Sequence, residues 1–262
     1  MNIVCVQFDI AWQSPEQNIR QVRQLLEAQS IPPDSLIVLP EMFATGFTMD
    51  PREATRQSEQ VHAFCGELAA TLDAYVLAGL ATMAPSGPRA RNQAVLFDPT
   101  GKVLLRQDKL HPFSPSGEDK HFQPGREVHA VRVGGMCLAT LICYDLRFPE
   151  TFRTAALSDE AELYVVIANW PAARAEHWTT LLRARAIENQ AFVVGVNRIG
   201  SDPNQTYAGG SLVIGPDGQV LWNGGERLGA VQVVIDPRRQ SRLREEFPVL
   251  ADARDFAWVR KS

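Results

Sequence analysis

The sequence has no run of 18 or more apolar residues, so nothing in it predicts a membrane-spanning helix. It has no excess of basic charge. Its 26 Lys and Arg against 30 Asp and Glu leave a net charge of −4 and a pI near 5.8. That balance gives no footprint for nucleic acid or an anionic membrane surface. The opening Met1-Asn2-Ile3-Val4 lacks the basic region, long apolar run and cleavage site of a secretory leader. Asn204-Gln205-Thr206 fits a glycosylation acceptor, and without export that match is read as chance. There are only four cysteines, Cys5, Cys65, Cys137 and Cys143, and none forms a C-x-x-C pair. A disulfide scaffold is therefore excluded. The expected compartment is the reducing cytosol, with the thiols either in the core or, in one case, acting as a nucleophile. His111, His121, His129 and His177 fall in neither H-E-x-x-H nor H-x-x-x-H, so no zinc site is expected. No G-x-x-x-x-G-K-[ST] and no strand-borne G-x-G-x-x-G is present, which removes the common nucleotide sites.

What is present is a chain of 262 residues, 45% apolar and 21% charged, long enough to bury a sizeable core. Short β-branched runs read as buried strands at Ile3 to Phe8, Leu36 to Leu39, Tyr75 to Leu80, Cys137 to Ile142, Leu163 to Ala168 and Phe192 to Val196. Helical stripes lie between them. Ser14-Pro15-Glu16-Gln17 predicts a capping box ahead of Ile19, Val22, Leu25 and Leu26. Val61, Phe64, Cys65, Leu68 and Leu72 mark a second helix, and residues 176–190 a third. Two passages share one grammar. Asp98-Pro99-Thr100-Gly101 separates two apolar runs, and so does Gly215-Pro216-Asp217-Gly218. A pair of similar hairpins downstream of βα units predicts a fold with two related halves. No linker divides the chain. One α/β domain spanning residues 1–262 is expected, with an irregular tail from about residue 245.

In α/β folds functional groups gather past the carboxyl ends of strands. Three suggestive residues stand there: Glu41 after Pro40, Lys109 after the first hairpin, and Cys143 after Ile142. Each alone has a bland reading, as a helix cap, a solvated lysine and a small core thiol.

Together they carry a pattern. Leu39-Pro40-Glu41-Met42-Phe43, Asp108-Lys109-Leu110-His111 and Ile142-Cys143-Tyr144-Asp145-Leu146-Arg147-Phe148-Pro149-Glu150 resemble the nitrilase superfamily of carbon–nitrogen hydrolases. So do Asn169-Trp170-Pro171, His177-Trp178 and residues 185–190, which extends the likeness over nearly the whole chain. The local likeness is greatest to the amidase branch, and within it to ω-amidase-type members.

The resemblance implies an α-β-β-α sandwich and a thiol amidase. It implies Glu41 as general base, Lys109 as oxyanion stabiliser and Cys143 as nucleophile. Glu118, nine residues after Lys109, is implied as a second carboxylate that positions the lysine, with Asp119 as its competitor. The chemistry of these groups agrees. A thiol near its reference pKa is only a few per cent thiolate at neutral pH, a carboxylate can take its proton, and an ammonium stabilises the developing alkoxide. The backbone N–H of Tyr144 is the natural second oxyanion donor.

Phe43, Tyr144 and Trp170 are expected to line the pocket. Arg147, Glu150, Arg185, Glu188 and Asn189 are expected to be mostly structural. Arg174, with Arg198 as a second candidate, is expected to read a carboxylate on the substrate. The implied substrate is a small non-peptide amide, such as the ω-amide of a 2-oxo dicarboxylic acid. No metal or organic cofactor, no nucleic acid and no membrane is expected. The resemblance further implies a homodimer or larger assembly. A carbamoylase, a nitrilase and a non-catalytic binding protein on the same fold remain the alternatives.

Overall fold

The computed structural model describes residues 1–85 and 87–254. Its first half builds one sheet from β1 (Asn2–Gln7), β2 (Leu36–Val38), β3 (Tyr75–Met83), β4 (Ala90–Phe97) and β5 (Val103–Asp108). The second half repeats the plan with β6 (Ala130–Val133), β7 (Met136–Ile142), β8 (Leu163–Ala168) and β9 (Phe192–Asn197). A small separate hairpin follows, β10 (Ile199–Ser201) and β11 (Thr206–Ala208). The chain then adds β12 (Leu212–Ile214) and β13 (Val220–Asn223) to the second sheet, and returns as β14 (Gly229–Val234) to the first.

The sheet orders are β14-β1-β2-β3-β4-β5 and β6-β7-β8-β9-β12-β13. In each, three parallel strands are followed by an antiparallel hairpin, and an antiparallel strand flanks the first of the three. The repeated turn grammar thus marks a real correspondence, with β4–β5 matching β12–β13.

Alternation along the strands explains the layers. Ile3 and Cys5 of β1 face the second sheet, while Val4 and Val6 point the other way. That outer side is covered by α1 (Pro15–Glu27), which buries Val22 and Leu26. A short α2 (Pro51–Thr55) precedes α3 (Ser58–Leu72), which buries Val61, Phe64, Cys65 and Leu68. A short α4 (Glu118–His121) lies in the loop after β5. The far side of the second sheet is covered by α5 (Pro149–Ser158) and α6 (Ala175–Asn189), with Trp178, Leu182 and Ala186 in the core. Helices, sheet, sheet, helices is the α-β-β-α sandwich. The last helix, α7 (Arg238–Glu246), anchors to the second half through Gln240 and Arg244, which donate to the carbonyls of Gln190 and Ala161. It runs past the expected start of the irregular tail at about residue 245, and residues 255–262 of that tail lie outside the described residues.

Two local expectations fail. Pro15 does open α1, but Ser14 makes no capping hydrogen bond. The Asn18 side chain ties that end of the helix to its surroundings instead, bonding both the N–H and the carbonyl of Ala11 and the carbonyl of Ala44. Leu110 to Glu127, polar and carrying Pro, Gly and His, reads from the sequence as a loop, yet α4 lies within it.

One glycine matters to the site. Gly79 on β3 passes so close to the turn after β2 that an added methyl group would lie 2.4 Å from Cα of Glu41. Backbone cannot yield as a flexible side chain can. Gly79→Ala should therefore lower stability by about 1–3 kcal/mol, read in urea unfolding, and lower turnover as well. Unchanged stability would show that the turn carrying Glu41 is loosely held.

Candidate active site

Three strand ends and one loop deliver the site. The chain leaves β2 through Leu39-Pro40 and turns sharply, with Met42 at a positive φ of 43°. This turn puts Glu41 between the two sheets and Phe43 into the helix layer. Lys109 is the first residue past β5. Its N–H donates to Asn92 on β4, and its carbonyl accepts from Gly125, both at 2.8 Å. Glu118 opens α4 after Gly117, which has a φ of 79°. Cys143 follows β7 directly, at a positive φ of 47° that a side chain adopts only under constraint.

The constraint comes from Asp145. Its buried carboxylate accepts from the N–H of Ile142 at 3.0 Å and from the N–H of His111 at 2.8 Å. It also meets the His111 ring at 2.9 Å. One side chain therefore fastens the turn carrying Cys143 to the loop just after Lys109.

Lys109 Nζ sits 2.9 Å from Glu41 Oε1 and 2.8 and 3.1 Å from the two oxygens of Glu118, with all three side chains out of solvent. Asn92 Nδ2 donates to Glu41 Oε1 at 2.7 Å and to Glu118 Oε1 at 2.9 Å. The N–H of Phe113 donates to Glu118 Oε2 at 2.6 Å, and the N–H of Asn169 to Glu41 Oε2 at 2.8 Å. Asn169 also holds the Glu41 backbone carbonyl at 2.7 Å through its amide group. The Cys143 thiol donates to the carbonyl of Asn169, with its sulfur 3.9 Å away, and lies close enough to Glu41 and Lys109 to feel both charges.

The charges respond to this crowding. Burial by itself would depress the Lys109 ammonium, but Glu118 and Glu41 outweigh it and the net shift is upward, so the lysine stays charged. Burial pushes Glu118 up, opposed by Lys109 and reinforced by Glu41. Burial pushes the Cys143 thiol well up, and Glu41 adds to the effect while Lys109 opposes it. The resting sulfur is therefore a neutral thiol with a carboxylate nearby.

Above the sulfur opens a cavity of about 450 Å³. Its walls are aromatic, with Phe47, Phe113, Tyr144, Trp170 and Tyr207. Arg147 and Arg174 line it as well. The Arg147 guanidinium lies 4.8 Å from the Trp170 ring centre, and that of Arg174 lies 5.6 Å from the Phe113 ring centre. Neither meets a carboxylate among the described residues. Asp202, Asn204 and Gln205, from the turn between β10 and β11, complete the wall. Among the described residues no three His, Cys, Asp or Glu side chains group so as to hold a metal ion.

The structure brings Glu41, Lys109, Glu118 and Cys143 together, and it places Tyr144, Trp170 and Arg174 on the cavity. Asp119, the competitor of Glu118, is exposed. Two expected pocket residues are elsewhere. Phe43 is fully buried in the outer core, its ring centre 6.4 Å from that of Phe64, because the turn that aims Glu41 inward aims Phe43 outward. Arg198 is buried too, paired with Asp9 at 2.8 Å and stacked 4.4 Å from the Tyr207 ring centre, so it braces the cavity wall from behind. Arg147, grouped with the structural residues, lines the cavity instead. Arg185 does serve structure. It donates to the Leu146 carbonyl at 2.7 Å and pairs with Glu188.

A carbon–nitrogen hydrolase family model matches residues 2–244. The chain belongs to the carbon–nitrogen hydrolase family. It is 36% identical to omega-amidase YafV of Yersinia enterocolitica, over 98% of each chain. It is 34% identical to 2-oxoglutaramate amidase of Bacillus subtilis, over 96% of this chain and 97% of the relative. A crystal structure of a CN-hydrolase superfamily protein from Xanthomonas campestris superposes with a TM-score of 0.90 at 33% identity, covering 99% of both chains. That structure carries an arsenic adduct in its active site.

In this carbon–nitrogen hydrolase Cys5 and Cys65 are fully buried, and Cys143 is the cysteine that opens onto the cavity. Iodoacetamide should therefore label Cys143 first, with Cys5 and Cys65 reacting only on unfolding, as read by peptide mass spectrometry. Because the thiol is raised, the labelling rate should climb steadily from pH 7 to pH 9, as thiolate accumulates. A rate that levels off below pH 8 would contradict the neutral resting thiol.

Proposed function

We propose that the protein is a thiol amidase that hydrolyses a small non-peptide amide to a carboxylic acid and ammonia. The observation that carries this reading is the buried Lys109, held by two carboxylates beside the thiol that opens onto the cavity. In the reaction Cys143 attacks the amide carbon, a C–S bond forms, and the thiol proton passes to Glu41. Lys109 and the N–H of Tyr144 stabilise the oxyanion. The intermediate collapses, Glu41 returns the proton to nitrogen, and ammonia leaves a thioester on Cys143. Water then gives a proton to Glu41 and adds to the thioester carbon. Collapse breaks the C–S bond, and Glu41 reprotonates the sulfur as the acid departs.

Counting acceptor sites supports Glu41 rather than Glu118 as the base. The four lone-pair directions of Glu118 take two bonds from Lys109, one from Asn92 and one from Phe113. Glu41 takes one from Lys109, one from Asn92 and one from the Asn169 N–H, with only a long 3.4 Å contact beyond these, also at Oε2. Glu41 Oε2 can receive a proton without giving up a short hydrogen bond.

The substrate we propose is the ω-amide of a short 2-oxo dicarboxylic acid, the chemistry named for the two amidase relatives. Arg174 supports it, since its guanidinium lines the same cavity without a carboxylate partner among the described residues. We further propose an assembly of at least two copies stacked through α5 and α6, where Leu157 and Ile187 are about half exposed. The four unpaired thiols suit a reducing cytosol.

Cys143→Ala should abolish ammonia release while leaving the melting curve intact. Lys109→Arg should lose several orders of magnitude, in line with roughly 3 kcal/mol or more for a lost oxyanion donor, because a planar fork cannot replace a compact ammonium. Ammonia release within tenfold of wild type for either variant would refute the reading. The substrate class has a separate test. Arg174→Ala should lower kcat/KM for 2-oxoglutaramate far more than for a neutral amide of equal length. Equal losses would remove Arg174 from recognition, and a wild-type preference for neutral amides, carbamoyl compounds or nitriles would replace the substrate class while leaving the thiol chemistry standing.

A further inference from the structure

Asn92 sits within β4, on the face turned toward the second sheet, and is 1% exposed. It bonds both carboxylates of the site and the backbone of Lys109. Its backbone carbonyl accepts the N–H of Lys109, and its single amide nitrogen donates to Glu41 Oε1 and to Glu118 Oε1. Both N–H bonds of that nitrogen are thereby spent on carboxylates. Its own oxygen, Oδ1, is buried without a hydrogen-bond partner among the described residues. A side chain present only to fill space would do better without that oxygen. What the carboxamide supplies here is two neutral donors, aimed at two carboxylates that share one ammonium.

We propose that Asn92 is a positioning residue that decides which carboxylate receives the Cys143 proton. The inference rests on the reading of Glu41 as the base. With Asn92 in place, Glu118 has every acceptor direction filled and Glu41 has room only on Oε2, the oxygen also held by Asn169. Without it, Oε1 of each carboxylate gains a free lone pair. Glu118 then becomes a competing proton acceptor, and a protonated Glu118 holds Lys109 less firmly. Burial and the nearby Glu41 already favour the protonated form of Glu118, so the donated bond opposes a real tendency. The ionisable groups around Asn92 are Glu41 from the turn after β2, Lys109 from the end of β5, Glu118 from α4 and Cys143 beyond β7.

The test compares Asn92→Ala, Asn92→Asp and Glu41→Gln with wild type, using ammonia release from 2-oxoglutaramate or whichever small amide the wild type turns over. Asn92→Asp keeps the shape and replaces a donor by an acceptor, so it carries the test if the alanine variant fails to fold. We expect both Asn92 variants to lose roughly 100-fold in kcat, the scale of a mispositioned reacting group, with KM within threefold. The acid limb of the pH–rate profile should move upward by one pH unit or more, because removing a donor to a carboxylate favours its protonated form. A kcat within threefold of wild type overturns the proposal. So does a loss in KM alone, or a loss of kcat with the acid limb unmoved, which is the mark of a purely structural role. An active Glu41→Gln would instead overturn the base assignment itself. An inactive Glu41→Gln beside normal Asn92 variants would overturn only the role of Asn92.

Discussion

The structure turns on one buried ammonium held between two buried carboxylates. Lys109 contributes one positive charge, and Glu41 and Glu118 contribute two negative ones, all removed from water. Burying isolated charges costs many kcal/mol, and even a good pair seldom gains much net stability. This triad adds nothing obvious that an apolar core could not supply. Its arrangement makes sense as chemistry. The four oxygens are oriented by donors from three places in the fold: Asn92 on β4, which serves one oxygen of each carboxylate, Phe113 in the loop before α4, and Asn169 after β8. The donors are neutral or backbone groups, so they fix the carboxylates without discharging them. The excess negative charge stays next to the sulfur.

The twofold plan of the fold explains how these groups meet. Glu41 follows β2 and Asn169 follows β8, the middle parallel strand of each half. The two residues occupy corresponding places, and they bond each other through side chain and backbone at the line where the sheets face. One half thus supplies a buried carboxylate and the other half the amide group that holds it. The nucleophile has no such counterpart in the first half. Its strained turn depends on Asp145, which ties it to the lysine loop across the sandwich.

What the sequence revealed and what it hid divide along physical lines. Strands were legible as short continuous apolar runs, as in Leu163–Ala168, which is buried throughout, and helices as apolar stripes, as in α1 with Val22 and Leu26. Glu41, Lys109 and Cys143 were legible because they end strands and sit in distinctive motifs. Asn92 was not, because an asparagine within a strand carries no local signal. Its meaning comes from partners 51 and 26 residues away. Phe43 was misplaced because one residue of turn geometry decides between pocket and core, and the positive φ at Met42 is set by the approach of β3. Arg198 was misplaced because its partner, Asp9, is 189 residues distant. The hairpin of β10 and β11 is too short for any periodic pattern, yet its turn forms part of the cavity wall.

The polarity of the cavity follows from the same electrostatics. Its floor is negative, and that negative charge, with burial, keeps Cys143 protonated. A permanently ionised thiolate would be open to oxidation and alkylation. In the proposed reaction the nucleophile forms only when a carbonyl arrives to take the electron pair and Lys109 has an oxyanion to stabilise. Such a floor repels a substrate carboxylate, so an acid group on the substrate must be received elsewhere. In the proposed reading Arg147 and Arg174 provide that place, their guanidiniums lying against aromatic rings and free of carboxylate partners among the described residues. A molecule with an amide at one end and a carboxylate at the other has one favourable orientation in this field. In the proposed binding mode the amide goes down to the thiol and the acid stays by the arginines. Turning it round would set a carboxylate against Glu41 and Glu118, so the field sets which end reacts.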